Sequence, residues 1–273
     1  MTSLFRGMNK AALDAAYNNS LAVKDSAAWM ADFDTRSESV RARPGAVLGL
    51  RYGPAPRNLI DYFAADGPGP LVIFIHGGYW QMRAKESFSF IAKGLNQRGL
   101  HVALVGYTLA PDATLGGIAQ EVKNAIAYLQ ANAAAHGGDP ARLLVSGWSA
   151  GGHLAALCLD EPGVVGGLAI SGIYDLEPMR LCYINDKLGL APQDVTDLSP
   201  MQLTPSGKPL VVAFGDAELP ELQRQSQAFF ERRQAAGKPG ALLPLDGLNH
   251  FSILDALGDP QSPLVDALCQ LAA

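Results

Sequence analysis

Short apolar runs of strand length alternate along this chain with longer stretches whose apolar residues recur at helical spacing. Phe88, Ile91 and Leu95, for example, fall on one face of a helix. We predict strands at 47–52, 58–64, 71–75, 100–105, 142–146, 165–170, 209–214 and 241–245, the first two forming a hairpin-like pair at an edge. This alternation predicts an α/β chain with a mostly parallel eight-stranded sheet and helices on both faces.

Two segments stand outside the alternation. Residues 1–45 are Ala-rich and helical in character between Met8 and Val23, and we expect them to form a cap-like segment. Residues 175–205 mix four prolines with apolar side chains, which is typical of a lid insertion that shapes a substrate pocket. With 273 residues, of which 48% are hydrophobic, the chain is predicted to form a single domain over 1–273.

The composition of the chain argues against several kinds of binding partner. The net charge of −5 and the absence of any Lys/Arg run argue against a nucleic-acid-binding protein. No apolar run reaches membrane-spanning length and no signal-peptide pattern is present, so a cytoplasmic location and no membrane partner are predicted. The three cysteines have no metal-ligand spacing, which predicts reduced thiols, no metal and no cofactor. The sequence leaves a homodimer open.

The first candidate for chemistry is Ser149, at the centre of the pentapeptide Gly147-Trp148-Ser149-Ala150-Gly151. An apolar strand-like run precedes this pentapeptide, and a helical stretch follows it. A Gly-x-Ser-x-Gly sequence between a strand and a helix is typical of a nucleophile elbow, whose sharp turn requires glycine beside the serine. The pattern predicts that Ser149 is a nucleophile at the carboxyl edge of the sheet.

A second motif, His76-Gly77-Gly78-Tyr79-Trp80, follows the predicted strand 71–75. A His-Gly-Gly turn at this position is typical of an oxyanion loop. We expect the backbone N–H groups of Gly77 and Gly78, together with that of Ala150, to stabilise a developing negative oxygen. His76 itself is interpreted as structural.

A serine nucleophile needs a base and an acid that orients the base, and after an elbow they follow in the order acid, then histidine. His153 lies one helical turn past the serine on the same helix, so its side chain cannot reach the hydroxyl proton. The predicted base is therefore His250, in a loop after the last strand. Two acids follow the strand 209–214, and we favour Glu218 over Asp216 because it lies at the tip of the turn. Asp175 and Asp246 are weaker candidates.

These residues resemble the arylformamidase (kynurenine formamidase) branch of the α/β-hydrolases, which is related to the hormone-sensitive-lipase-like esterases. The resemblance rests on 14–19, 76–80, 147–153, 224–226 and 249–251, and extends from about residue 12 onward. It implies the α/β-hydrolase fold, with Ser149 as nucleophile, His250 as base and Glu218 at the position of the acid. Many members carry Asp at that position, and Asn249 stands where an acidic residue is common.

The leading hypothesis is therefore a metal-free serine hydrolase that forms an acyl-enzyme on Ser149. Its substrate would be a small carboxylic ester or an aryl formamide or amide. Tyr79 and Trp80 are predicted to contact an aromatic or otherwise apolar group of that substrate. The alternative is a non-catalytic ligand-binding protein on a hydrolase scaffold, although such proteins usually lose the nucleophile or the base.

Overall fold

The strands of the chain form a sheet whose carboxyl edge carries the candidate residues. The computed structural model describes residues 3–273. The strands are β1 (Val47–Arg51), β2 (Leu59–Phe63), β3 (Gly69–Ile75), β4 (His101–Val105), β5 (Gly138–Trp148), β6 (Val164–Ile170), β7 (Leu210–Gly215) and β8 (Gly240–Leu245). Within the described residues they make one eight-stranded sheet in the order β1-β2-β4-β3-β5-β6-β7-β8. β2 is antiparallel to β1 and β4, and every other neighbouring pair is parallel.

The α-helices connect the strands and cover both faces of the sheet. They are α1 (Lys10–Ala16), α2 (Asn19–Ala22), α3 (Ser26–Arg41), α4 (Ala92–Gln97), α5 (Leu115–Asn132), α6 (Ala150–Leu157), α7 (Glu177–Leu181), α8 (Asn185–Leu188), α9 (Pro192–Leu198), α10 (Pro220–Ala235), α11 (Ile253–Gly258) and α12 (Pro263–Ala272). Short 3₁₀ helices at Lys85–Ile91 and Ala133–His136 precede α4 and β5. The predicted α/β-hydrolase fold, with its mostly parallel eight-stranded sheet, is confirmed across residues 3–273.

Two hydrophobic cores lie on opposite faces of the sheet, because successive side chains of a strand point to opposite sides. On β3, Ile73 and Ile75 belong to one core, and Val72 and Phe74 belong to the other. The first core includes the apolar faces of α5, α6 and α10, and the second includes those of α3, α11 and α12. The central strands are therefore buried on both sides, which explains their nearly continuous apolar sequences.

The N-terminal segment contains more helix than the sequence pattern indicated. The chain turns after α1, and the side chain of Asn18 accepts a hydrogen bond from the N–H of Leu21 to begin α2. α3 then continues to Arg41, within the segment 1–45 that we predicted to be cap-like but beyond Val23, where the recognisable helical pattern ends. Its buried stripe is narrow because Met30, Phe33 and Val40 alternate with charged side chains, so the apolar period is weak.

The segment 175–205 contains the short helices α7, α8 and α9. Two of its prolines stand in first turns, Pro178 in α7 and Pro192 in α9, where the missing N–H leaves no hydrogen bond unmade. The segment contacts the N-terminal region, since the N–H of Tyr183 donates to Oδ1 of Asp14 at 2.8 Å. In residues 3–273 we find no helix with the length and apolar character needed to cross a membrane.

Candidate active site

The candidate residues meet at the carboxyl edge of the parallel strands, where loops from neighbouring strands come together. A cavity of about 30 Å³ lies there and is lined by Ser149 after β5 and by His250 after β8. The lining also includes Gly78 and Tyr79, from the loop after β3, and Asn19, from the N-terminal segment. The cavity is lined from the N-terminal segment rather than from residues 175–205.

Ser149 occupies a strained backbone position between β5 and α6. Its φ of 58° and ψ of −118° lie in a region that L-residues rarely adopt, at a cost of about 1–3 kcal/mol. The surrounding backbone holds it there. Its N–H donates to the carbonyl of Ile170 at 2.8 Å, and its carbonyl accepts from the N–H of His153 at 3.2 Å.

The two glycines of the pentapeptide are required by close backbone contact. A Cβ on Gly147 would lie 2.2 Å from the carbonyl oxygen of Gly151. A Cβ on Gly151 would lie 1.9 Å from the carbonyl oxygen of Ile75, at the end of β3. No larger residue fits between β3, β5 and α6, so the turn that displays Ser149 depends on glycine at both positions.

The loop after β3 brings backbone N–H groups close to the serine. A Cβ on Gly77 would lie 3.0 Å from the Cβ of Ser149 and 2.6 Å from the ring of Trp148, so only glycine allows this approach. Gly78 has a φ of +109°. Among the hydrogen bonds of residues 3–273, none is donated by the N–H of Gly77, Gly78 or Ala150. These three N–H groups therefore have no hydrogen-bond partner in that part of the chain, and Gly78 is among the residues that line the cavity.

His250 and Glu218 form a buried pair. Nδ1 of the histidine lies 2.9 Å from Oε2 of the glutamate, and their side chains are 4% and 0% exposed. A carboxylate oxygen accepts hydrogen bonds, so Nδ1 carries the proton and Nε2 is left as the basic nitrogen. This tautomer is the one that a general base next to a serine requires.

The other oxygen of Glu218 is fully engaged. Oε1 accepts hydrogen bonds from the hydroxyl of Ser171 at 2.6 Å and from the N–H of Gly215 at 2.7 Å. Asp216, the alternative acid, is exposed, and its Oδ1 accepts from the N–H of Gly247 at 2.6 Å. Of the two carboxylates that the sequence left open, Glu218 is therefore the one in contact with the histidine.

The loop that carries His250 is braced from two sides. The indole N–H of Trp148 donates to the carbonyl of His250 at 2.8 Å, and the two ring centroids lie 4.9 Å apart. Oδ1 of Asn249 accepts from the N–H groups of Phe251 and Ser252 at 2.9 and 3.0 Å. Asn249 thus fixes the turn, a role that its side-chain oxygen shares with that of an aspartate.

The two aromatic residues predicted to contact substrate lie in different surroundings. Tyr79 lines the cavity, and its hydroxyl donates to the carbonyl of Tyr17 at 2.5 Å. Burial raises the pKa of the Tyr79 hydroxyl well above its usual value, so it stays protonated. Trp80 is fully buried, packs edge-on against His153 at 5.0 Å, and is not among the residues that line the cavity.

Comparison with known proteins shows what this chain is similar to. The BD-FAE family model matches residues 62–160. The kynurenine formamidase of Danio rerio is 28% identical over 252 residues, covering 86% of this chain and 85% of that protein. The chain is an α/β-hydrolase of the esterase and arylformamidase type.

The hydrolase is also similar to a plant methylesterase in sequence and to a bacterial protein in structure. The isoprenylcysteine α-carbonyl methylesterase of Arabidopsis thaliana is 35% identical over 113 residues, which cover 40% of this chain and 26% of that protein. A crystal structure from Silicibacter sp. TM1040, of a protein provisionally named a thioesterase, superposes with a TM-score of 0.84 at 29% identity. It covers 94% of this chain and 98% of its own.

Two further histidines of the hydrolase lie near the serine but are structural, as the sequence indicated for His76. Nδ1 of His76 lies 2.8 Å from the carbonyl oxygen of Gly77, and its ring stacks on Tyr107 at 4.3 Å. Nε2 of His153 lies 2.8 Å from the carbonyl oxygen of Leu198. Burial lowers the pKa of each to about 4, so both rings are neutral near pH 7.

Sequence reasoning gave no role to three polar residues that organise the hydrolase site, although Asn19 and Gln225 lie in segments that carry the family resemblance. Ser171 follows the carboxyl end of β6, a position that could have drawn attention to it. Gln225, 2% exposed, accepts from the N–H groups of Tyr174 and Asp175 and donates to the hydroxyl of Tyr17. Asn19 lines the cavity from α2.

Across residues 3–273, no cluster of three or more His, Cys, Asp or Glu side chains is placed to hold a metal ion.

Proposed function

We propose that this protein is a serine hydrolase that cleaves its substrate through an acyl-enzyme on Ser149, with His250 as general base and Glu218 as the orienting acid. The observation that carries the proposal is the buried contact of 2.9 Å between Nδ1 of His250 and Glu218, at a cavity that His250 shares with Ser149. The pair leaves Nε2 as the free basic nitrogen. A strained serine that lines the same cavity supports nucleophilic catalysis.

Acylation begins when Oγ of Ser149 attacks the substrate carbonyl carbon while its proton moves to Nε2 of His250. The carbonyl π electrons move to the oxygen, which becomes an oxyanion. Backbone N–H groups of Gly77, Gly78 and Ala150 are the proposed donors to that oxyanion, and each such donor contributes about 10²–10³ in turnover in known hydrolases. The imidazolium is stabilised by the carboxylate of Glu218.

The intermediate collapses when the bond to the leaving group breaks. Nε2 of His250 gives its proton to the departing nitrogen or oxygen, which leaves as an amine or an alcohol. Water then loses a proton to Nε2 of His250 and attacks the acyl carbon. The second intermediate releases the carboxylic acid and returns the proton to Oγ of Ser149.

The proposed substrate is a small carboxylic ester or an aryl formamide. A cavity of about 30 Å³ has room for about two water molecules, which suits a formyl or acetyl group better than a long acyl chain. Trp148 and Phe251 give its wall apolar, aromatic surface. The similarity to kynurenine formamidases adds aryl formamides, with N-formylkynurenine as the representative substrate.

Steady-state hydrolysis of N-formylkynurenine and of p-nitrophenyl acetate tests the proposal, with native protein compared with Ser149→Ala. We expect the native protein to cleave at least one of them and Ser149→Ala to lose about 10³-fold or more in kcat. A burst of p-nitrophenol equal to the enzyme concentration would demonstrate the acyl-enzyme. Equal rates for native protein and Ser149→Ala would contradict the proposal and favour a ligand-binding protein.

A further inference from the structure

Asn19 carries a buried hydrogen-bond acceptor without a partner at the wall of the active-site cavity. Its side chain lines the cavity although the residue is only 5% exposed. Nδ2 donates to the hydroxyl of Tyr79 at 3.1 Å. Oδ1 is buried and has no hydrogen-bond partner within residues 3–273. Buried side-chain oxygens are nearly always paired, so an unpaired one at a cavity points to a ligand that pairs with it.

The hydrogen bonds around Tyr79 determine which end of the Asn19 amide is free. The single hydroxyl hydrogen of Tyr79 is donated to the carbonyl of Tyr17. The hydroxyl oxygen can therefore only accept from Asn19, which assigns the NH₂ group to the Tyr79 side and leaves the oxygen unpaired. Tyr17 is anchored in turn, because Nε2 of Gln225 donates to its hydroxyl at 3.0 Å. The unpaired group of Asn19, a residue of the cavity wall, is thus an acceptor, and the bonds to Tyr79 and Tyr17 hold the side chain in place.

We propose that Oδ1 of Asn19 accepts a hydrogen bond from the N–H of the scissile amide, and that Asn19 thereby selects formamides over the corresponding esters. This inference rests on the proposed function. A formamide carries one N–H on its leaving nitrogen, whereas an ester has an acceptor oxygen at that position. Binding of the ester leaves Oδ1 unpaired and brings two acceptors together, so the ester gains nothing from Asn19.

A purely structural role for Asn19 needs only its NH₂ group, which connects α2 to Tyr79. The proposed role needs the oxygen. Asn19→Leu removes both groups and keeps the branched shape of the side chain, whereas Asn19→Asp keeps an acceptor oxygen and removes the NH₂ group. Asn18→Ala is the matched control, because it removes the hydrogen bond that begins α2 and leaves Asn19 unchanged.

The test compares kcat/KM for formanilide and phenyl formate, which form the same formyl-enzyme and differ in the leaving N–H or oxygen. In Asn19→Leu, we expect the ratio of formanilide to phenyl formate to fall by about 10–100-fold. We expect Asn19→Asp and Asn18→Ala to keep the native ratio within about 3-fold. A ratio measured within one variant is independent of the fraction of protein that is folded.

Three results would overturn the role of Asn19 while leaving the hydrolase intact. The first is an unchanged ratio in Asn19→Leu, and the second is a native protein that cleaves phenyl formate but not formanilide. A loss in Asn19→Asp as large as that in Asn19→Leu would also overturn it, because the NH₂ group would then be the important one. If native protein and Ser149→Ala cleave phenyl formate equally, the proposed function itself fails.

Discussion

The two halves of the candidate site are held by different forces. The nucleophile half consists of the loops after β3 and β5, where backbone atoms approach so closely that glycine is required at 77, 147 and 151. The acid–base half consists of the loops after β6, β7 and β8, where the hydrogen bonds of Ser171, Glu218 and Trp148 determine the geometry. Steric exclusion fixes the first half. In the second half polar side-chain contacts act together with one close backbone approach, because a Cβ on Gly215 would lie 1.9 Å from the carbonyl oxygen of Leu248.

This difference decides how each half responds to substitution. Backbone crowding has no alternative solution, so an added methyl group in the nucleophile half must displace a strand or a helix. A hydrogen bond in the acid–base half can be removed with little change of shape, because an isosteric side chain fills the same space. We therefore expect changes at the crowded glycines to act on stability and changes to the hydrogen-bonding side chains of the acid–base half to act on turnover.

The largest effect is expected from Glu218→Gln in the acid–base half. The amide keeps the size of the side chain but removes its negative charge, so the imidazolium formed during catalysis loses its stabilising partner. We expect kcat to fall by about 10³–10⁴-fold, with less than about 1 kcal/mol lost in unfolding free energy. Steady-state kinetics and urea unfolding on the same preparation measure both quantities.

Asp216→Asn is the matched control for that experiment. Asp216 is exposed and accepts one hydrogen bond from the N–H of Gly247, which an asparagine oxygen can also accept. We expect kcat within about 3-fold of the native value. If Asp216→Asn lost activity and Glu218→Gln kept it, Asp216 would be the orienting acid, and the contact between Glu218 and His250 would have no role in turnover.

Gly151→Ala tests the nucleophile half. Its new Cβ would lie 1.9 Å from the carbonyl oxygen of Ile75, so β3 and α6 must separate. We expect a loss of about 3 kcal/mol or more in unfolding free energy, measured by urea denaturation. Gly116→Ala in α5 is the control, because a Cβ there meets its nearest atom at 4.0 Å. That substitution should stabilise the protein by up to about 1 kcal/mol.

The same division explains what the sequence could predict. The glycines of the elbow and the oxyanion loop are recognisable because sterics allow no other residue at those positions. Ser171 could not be found in this way, since a serine after a strand is common and its contact with Glu218 depends on the spacing of β6 and β7. The central strands were predictable because they are buried runs of apolar residues. The polar helix α3 has a narrow apolar stripe, so its bounds within the N-terminal segment could not be predicted.

Acid is expected to act on the nucleophile half through its two buried neutral histidines. Burial lowers the pKa of His76 and of His153 to about 4, below the value of about 6.5 in an unfolded chain. Between pH 6.5 and 4 the unfolded chain therefore binds more protons than the folded one, so stability falls as the pH is lowered. Each histidine should contribute a loss of about 2 kcal/mol between pH 7 and pH 5.

His153→Gln separates this effect from general acid denaturation. The glutamine can still donate to the carbonyl of Leu198 but has no proton to gain in this range. Urea unfolding at pH 7 and pH 5 should show a loss about 2 kcal/mol smaller in the variant than in the native protein. Equal losses in both proteins would mean that His153 does not contribute to acid sensitivity.

The smallest effect is expected from Ser171→Ala, which weakens the acid–base half without removing its charge. Oε1 of Glu218 then keeps the N–H of Gly215 and loses the hydroxyl donor at 2.6 Å. The carboxylate should hold His250 less firmly, and we expect kcat to fall about 10-fold with KM unchanged. Ser146→Ala is the matched control, because Ser146 is equally buried and its hydroxyl has no partner within residues 3–273. If both substitutions lowered kcat to the same extent, the bond from Ser171 to Glu218 would have no special role, and packing along the sheet edge would account for the loss.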